Sequence, residues 1–292
     1  MIYGENVHIV RSSLSERPGF LAVVLLTLIG VALVISSFSR VGTSMLCSLA
    51  GPTFLRAVDE DYSPTGIQLQ AILHYATSRQ TPQQSRGEIG VSFEVLKARA
   101  PCNFLVFGLG FDSQMWASFN PRGTTLFLEE DPKWVQTVLK DAPHLRAQTV
   151  RYRTHLKEAD GLLSSYRSEP SCSPSEAVLR GNAQCRLALN NLPDEVYERE
   201  WDLIMVDAPR GYFPEAPGRM AAIFSAAVMA RRRQGSGVTH VFLHDVNRRV
   251  EKVYAEEFLC RKYLVKAVGR LWHFEIPSAA NATTEVDGAR FC

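Results

Sequence analysis

Phe104-Leu105-Val106-Phe107-Gly108-Leu109-Gly110-Phe111-Asp112-Ser113 is followed, about twenty residues on, by Thr125-Leu126-Phe127-Leu128-Glu129-Glu130-Asp131. The first stretch reads as a buried strand running into a glycine turn and a helix start. The second reads as another strand, ending in acid. Together they form the opening half of a nucleotide-cofactor fold. Gly108 and Gly110 let the backbone approach a ligand, and the helix start is expected to face it with free N–H groups. An acid at the tip of the second strand can hold two ribose hydroxyls. Glu129 and Glu130 both fit that spacing, and strand alternation does not choose between them.

The rest of the chain continues the pattern. Helical periodicity covers Ser63 to Ala98. Strands are expected at 103–108, 124–129, 150–152, 201–207, 239–245 and 271–276, with helices at 132–139, 157–166, 220–230 and 249–258 between them. Such alternation implies an α/β fold with a mainly parallel, doubly wound sheet. Ligands then sit beyond the carboxyl ends of the strands, where the chain offers Gly108 and Gly110, Glu129 and Glu130, Asp207, and His244-Asp245 with Asn247. Each has a plain structural reading as a turn or a helix cap; their convergence on one sheet edge favours a site.

The glycine pattern separates two cofactor classes. A dinucleotide fingerprint places a third glycine where this chain has Ser113, preceded by Asp112. S-adenosylmethionine carries no pyrophosphate and tolerates the looser turn, so Gly108, Gly110, Asp112 and the Glu129/Glu130 pair are the cofactor candidates. Asp207 then faces the methyl or its acceptor. Asp207, His244 and Asp245 are the catalytic candidates, as general base or its partners. A second route is a divalent cation such as magnesium, manganese or cobalt, held by Asp207, Asp245 and Asn247. The loop from Ala208 to Arg219 carries Arg210, Tyr212 and Arg219 along with three prolines. Guanidinium groups with an aromatic ring suit an acidic sugar.

Other features set the address. The net charge of +2 over 292 residues, with no basic patch interleaved with aromatics, gives no footprint for nucleic acid. Pro18 to Ser39 holds no charged residue and is long enough to span a bilayer. The expected organisation is a cytosolic tail at 1–17, a transmembrane signal anchor at 18–39, a lumenal stem at 40–62 and a lumenal catalytic domain at 63–292. Asn281-Ala282-Thr283 is a glycosylation sequon, which agrees with a lumenal domain. Cys172 and Cys185 flank a polar loop that suits a disulfide in an oxidising compartment, Cys260 and Cys292 could form another, the sequence does not fix the connectivity, and Cys102 reads as a buried thiol.

Five longer strings carry a family resemblance: Cys102–Gly110, Leu126–Asp131, Trp201–Pro209, Glu215–Met220 and Val241–Arg248. They resemble the plant glucuronic acid 4-O-methyltransferases of cell-wall polysaccharides. The resemblance implies a Rossmann-like S-adenosylmethionine-dependent methyltransferase fold behind a transmembrane helix. It also implies a Golgi type II membrane protein that methylates the 4-hydroxyl of glucuronosyl side chains on a polysaccharide or proteoglycan. Where the glucuronoxylan-acting branch has a histidine, this chain has Phe111. In that position, and in Arg151–Thr154 and Gly269–Phe274, it looks like the arabinogalactan-acting branch. The competing expectations are the same reaction on glucuronoxylan, and a non-catalytic Golgi scaffold for wall synthesis.

Overall fold

The residues from Pro64 to Cys292 fall in one compact unit. The computed structural model describes residues 65–278 and 290–292, all in that unit. The expected cytosolic tail, transmembrane segment and stem, and the sequon, lie outside the described residues. Among the described residues, no helix is long and apolar enough to cross a membrane.

Seven strands form one sheet in the order β3-β2-β1-β4-β5-β7-β6. They are β1 (Asn103–Phe107), β2 (Thr124–Glu129), β3 (Ala147–Thr149), β4 (Leu203–Val206), β5 (Val238–Leu243), β6 (Leu264–Val268) and β7 (Leu271–Pro277). The first five are parallel, and β7 runs antiparallel to both β5 and β6. This is the expected Rossmann-like methyltransferase sheet, mainly parallel with an antiparallel edge. The order reverses beside β1, so the ends of β1, β2 and β4 flank a switch-point crevice.

Strand alternation explains the two cores. Leu105, Phe107, Leu126, Leu128, Ile204 and Val206 face one layer with the helix Met220–Arg231. Phe104, Val106, Phe127, Leu203, Met205 and Phe242 face the other. The central strands are therefore apolar on both faces, which is why they read as continuous runs. The helix Met220–Arg231 is buried almost all round, and its alanines let it sit close to the sheet.

Three expectations about elements are corrected. The third strand lies at Ala147–Thr149, ahead of the expected 150–152. The Val150 amide makes the last ladder bond, to the Glu129 carbonyl, and the buried Val150 side chain belongs to the turn that follows. β6 was not foreseen. It is an edge strand with three exposed central residues, so it carries no buried alternation to read. The single helical stretch at 63–98 is two helices, Gly66–Thr77 and Arg86–Arg99. Ser85 starts the second with a capping box to Glu88. The disulfides Cys172–Cys185 and Cys260–Cys292 are formed, and Cys102 is a buried free thiol.

Candidate active site

A cleft of about 490 Å³ opens at the carboxyl ends of β1, β2 and β4. Its floor is the glycine turn. Gly108 has φ +129°, a conformation closed to other residues, and a Cβ there would meet the Ala208 side chain at 3.3 Å. Two of the turn's own amides are occupied within the protein. The Leu109 N–H donates to Glu129 Oε2 at 3.1 Å, and the Gly110 N–H donates to Ser113 Oγ at 2.9 Å. Ser113 thus does local work where a dinucleotide fold would have glycine. The turn is built to hold itself, not to receive a pyrophosphate.

Glu129 braces both sides of the crevice. Its other oxygen, Oε1, accepts from the Glu130 and Asp131 amides at 3.0 and 3.1 Å. Burial and the neighbouring Glu130 raise its pKa, against the pull of those backbone donors. Glu130 stands at the cleft wall, where its Oε1 accepts from Arg210 Nε at 2.8 Å and from the Arg210 amide at 3.1 Å. Glu129→Gln swaps a charged acceptor for a neutral one at these amides. It is expected to cost about 1–2 kcal/mol and to weaken cofactor binding roughly tenfold by calorimetry. Unchanged affinity would show that the turn does not depend on this charge.

Asp207 follows β4 and lines the cleft. Its Oδ1 meets His244 Nδ1 at 2.8 Å, and its Oδ2 accepts from Gln84 Nε2 at 3.0 Å. Burial alone would raise its pKa; the His244 hydrogen bond and the Arg219 charge outweigh that and hold it below the ordinary aspartate value. Across the cleft, burial and the charge of Asp207 push Asp112 up to about 6. Asp112 also accepts from Trp116 Nε1 at 2.8 Å.

The remaining candidates are corrected by their surroundings. His244 is fully buried and does not line the cleft, so it orients Asp207 instead of meeting an acceptor. Asp245, at φ +60°, borders the cleft, but its carboxylate is filled by cations. Arg219 Nη2 and Arg248 Nη2 meet its Oδ2 at 2.9 and 3.0 Å, and Arg270 Nη1 meets Oδ1 at 2.7 Å. Asp245 is therefore not a free base. Asn247 is exposed and outside the cleft, so the set Asp207, Asp245 and Asn247 does not assemble. Donor atoms of Asp207, His244 and Asp245 do lie within 4.8 Å of one another. The Arg219 guanidinium bridges the two carboxylates, which fills the place a cation would take.

Arg219 is also not a hand for substrate. It is 4 % exposed, and its donors are spent inside: Nε on the Pro209 carbonyl, Nη1 on the His244 carbonyl at 2.8 Å, and Nη2 on the Asp207 carbonyl and both carboxylates. Arg210 and Tyr212 do line the cleft, and Tyr212 is 68 % exposed. Two contributors were not foreseen. Arg248 reaches the cleft wall, and its place three residues after Asp245 was the available signal. Gln84 comes from the linker between the first two helices and carries no local motif.

The lining bears Asp112, Glu129, Glu130, Asp131, Asp207 and Asp245 against Arg210, Arg219 and Arg248. Acids outnumber guanidiniums two to one. That balance suits a ligand with cationic groups and opposes a pyrophosphate.

A family described as IRX15/IRX15L/GXM matches residues 87–274. Arabinogalactan O-methyltransferase 2 of Arabidopsis thaliana is 64% identical over 285 residues, covering 97% of this chain and 97% of that protein. Arabinogalactan O-methyltransferase 1 of the same plant is 63% identical, covering 95% and 98%. Its glucuronoxylan 4-O-methyltransferase 1 is 48% identical, covering 76% and 78%.

Proposed function

The chain belongs to the IRX15/IRX15L/GXM family, and from that premise we propose that it transfers a methyl group from S-adenosylmethionine to the 4-hydroxyl of glucuronic acid on arabinogalactan glycans. The observation that carries the chemistry is Asp207: an ionised carboxylate fixed in the lining of a cleft whose floor is a bare glycine turn. The higher identity to the arabinogalactan enzymes than to the glucuronoxylan enzyme supports the acceptor preference.

The residues fit the cofactor. Gly108 and Gly110 keep side chains off the cleft floor, and the excess of carboxylates complements a sulfonium and an ammonium. Asp112, raised by burial, gains a reason to ionise when a cation lies against it. Bound there, S-adenosylmethionine would supply an electrophilic methyl group. Asp207 accepts the proton of the acceptor hydroxyl as that oxygen attacks, and His244 holds the carboxylate in line. Arg248 and Arg210, at the cleft wall, replace Arg219 as partners for the uronic acid carboxylate. Tyr212 offers a face to the sugar.

The protein works as a single-pass type II protein of the Golgi membrane with a lumenal catalytic unit. The uncharged stretch Pro18–Ser39, the sequon at Asn281 and the two disulfides support that reading. Carbonate extraction is expected to leave the full-length chain in the membrane pellet with a glycan on Asn281. Release of a shortened, soluble chain would show cleavage instead.

Full-length protein given arabinogalactan, carboxyl-reduced arabinogalactan and glucuronoxylan should methylate the first best. Loss of the acceptor carboxylate should cost roughly 1.5–3 kcal/mol, or about 10–150-fold in kcat/KM. Equal rates on the native and reduced polymers would remove the acidic-sugar reading. Faster methylation of xylan would transfer the function to the second acceptor.

A further inference from the structure

The opposite end of β5 from the cleft carries a second polar cluster. His240 lies five residues before Asp245, roughly 16 Å away along an extended strand. The antiparallel register pairs His240 with Glu275 and Phe242 with His273. Residues two apart share a face, so His240, His273 and Glu275 come together on one side of the sheet. Both histidines are at least 95 % buried, and Glu275 is half-exposed at the rim. His240 Nδ1 lies 3.0 Å from His273 Nε2 and 3.7 Å from Glu275 Oε1. The His273 ring stacks on Phe242 with centroids 4.4 Å apart, which fixes its plane. The buried His240 Nε2 has no hydrogen-bond partner, so the histidine pair does not close as a network of its own.

We propose that His240 Nδ1, His273 Nε2 and the Glu275 carboxylate form a binding site for a zinc-class divalent cation, with water as the fourth ligand. Two imidazoles and one carboxylate are a recurring three-ligand set for zinc. With metal–ligand bonds of about 2.0–2.2 Å, donor atoms around a tetrahedral ion stand roughly 3.4 Å apart. The observed 3.0 and 3.7 Å lie on either side of that distance and need only small adjustments. No proton has to leave. The proton shared between the rings moves to an outer ring nitrogen as a change of tautomer. Both imidazoles are buried, and burial favours the neutral form that binds a metal. Arg99, Arg233 and Lys266 oppose a cation, while Asp202 and Glu275 offset them. Against that balance, strong imidazole affinity favours zinc over oxygen-seeking magnesium or calcium. A bound ion would fasten β7 to β5 at the end of the sheet remote from the cleft.

The test uses the full-length chain after chelation, titrated with Zn²⁺ by calorimetry and with Co²⁺ by visible absorption. The expected result is one equivalent bound, a tetrahedral Co²⁺ band, and a higher unfolding midpoint with Zn²⁺. Glu275→Gln and His240→Gln should each weaken binding at least tenfold, while Asp207→Asn leaves it unchanged. If His240→Gln fails to fold, the half-exposed Glu275→Gln still decides. Absence of binding at micromolar Zn²⁺, or binding that Glu275→Gln leaves intact, would overturn the site. Binding lost only in Asp207→Asn would also overturn it, by placing the ion in the cleft. These readouts involve no methyl transfer, so they stand or fall apart from the proposed reaction.

Discussion

Asp207→Asn is expected to bind S-adenosylmethionine with near-normal affinity and to turn over at least about 10²-fold more slowly, the usual scale for losing a general base. The substitution is nearly isosteric. With the new amide nitrogen turned toward His244, Gln84 keeps an oxygen to donate to, and Arg219, which shares Oδ1 with His244, keeps the Asp207 carbonyl and the Asp245 carboxylate. What disappears is a charge that stays ionised through neutral pH. Because the folded-state pKa of Asp207 is depressed, its contribution to stability is complete above the ordinary aspartate value and is lost as pH falls through that depressed value. The wild-type protein should therefore show no loss of activity traceable to Asp207 between pH 5 and 8, by order of magnitude. The split between kcat and cofactor affinity is the informative readout. An equal fall in both would make Asp207 a cofactor ligand, and near-normal turnover would remove it from the chemistry.

Arg219→Ala is expected to destabilise the protein by about 3–5 kcal/mol, the range for removing one partner of a buried ion pair. Its guanidinium joins two loops, those after β4 and after β5, by holding the carbonyls of Asp207, Pro209 and His244 and the carboxylates of Asp207 and Asp245. Without it, two buried acids face each other without their shared cation. Chemical denaturation would measure the loss directly. A stable Arg219→Ala protein, altered only in KM for an acidic acceptor, would return the residue to the substrate-binding role that the sequence suggested. Arg219→Lys should recover little, because a single ammonium cannot span those acceptors as a planar fork does.

The parts of the site legible in the sequence share a cause. Gly108, Gly110, Glu129, Glu130 and Asp207 sit at the ends of strands buried on both faces, so an apolar run followed by a polar residue marks the strand end. The polar loop between Cys172 and Cys185 also marked one disulfide, whereas the Cys260–Cys292 pairing is fixed only by the fold. What stayed hidden depends on distant partners. Nothing in Arg210-Gly211-Tyr212-Phe213-Pro214-Glu215-Ala216-Pro217-Gly218-Arg219 says which arginine turns inward. Arg210 stays at the cleft wall and pairs with Glu130. The inward turn of Arg219 follows from Asp245, which lies beyond a whole helix and strand. Gln84 reaches Asp207 across a separation of 123 residues, so no spacing rule reports it. β6 lacked the buried alternation that betrays a strand because its centre faces solvent.

The central claim is that this cleft moves a methyl group onto O4 of a glucuronosyl residue with Asp207 as the base. The most direct measurement incubates the full-length chain with S-adenosylmethionine labelled with ¹³C in its methyl group and with glucuronosylated arabinogalactan, then reads the product by NMR. The predicted result is a single labelled methoxyl on O4 of glucuronic acid, formed by the wild-type protein and at least about 10²-fold more slowly by Asp207→Asn. Label at another oxygen, or equal labelling by the two proteins, would contradict the account.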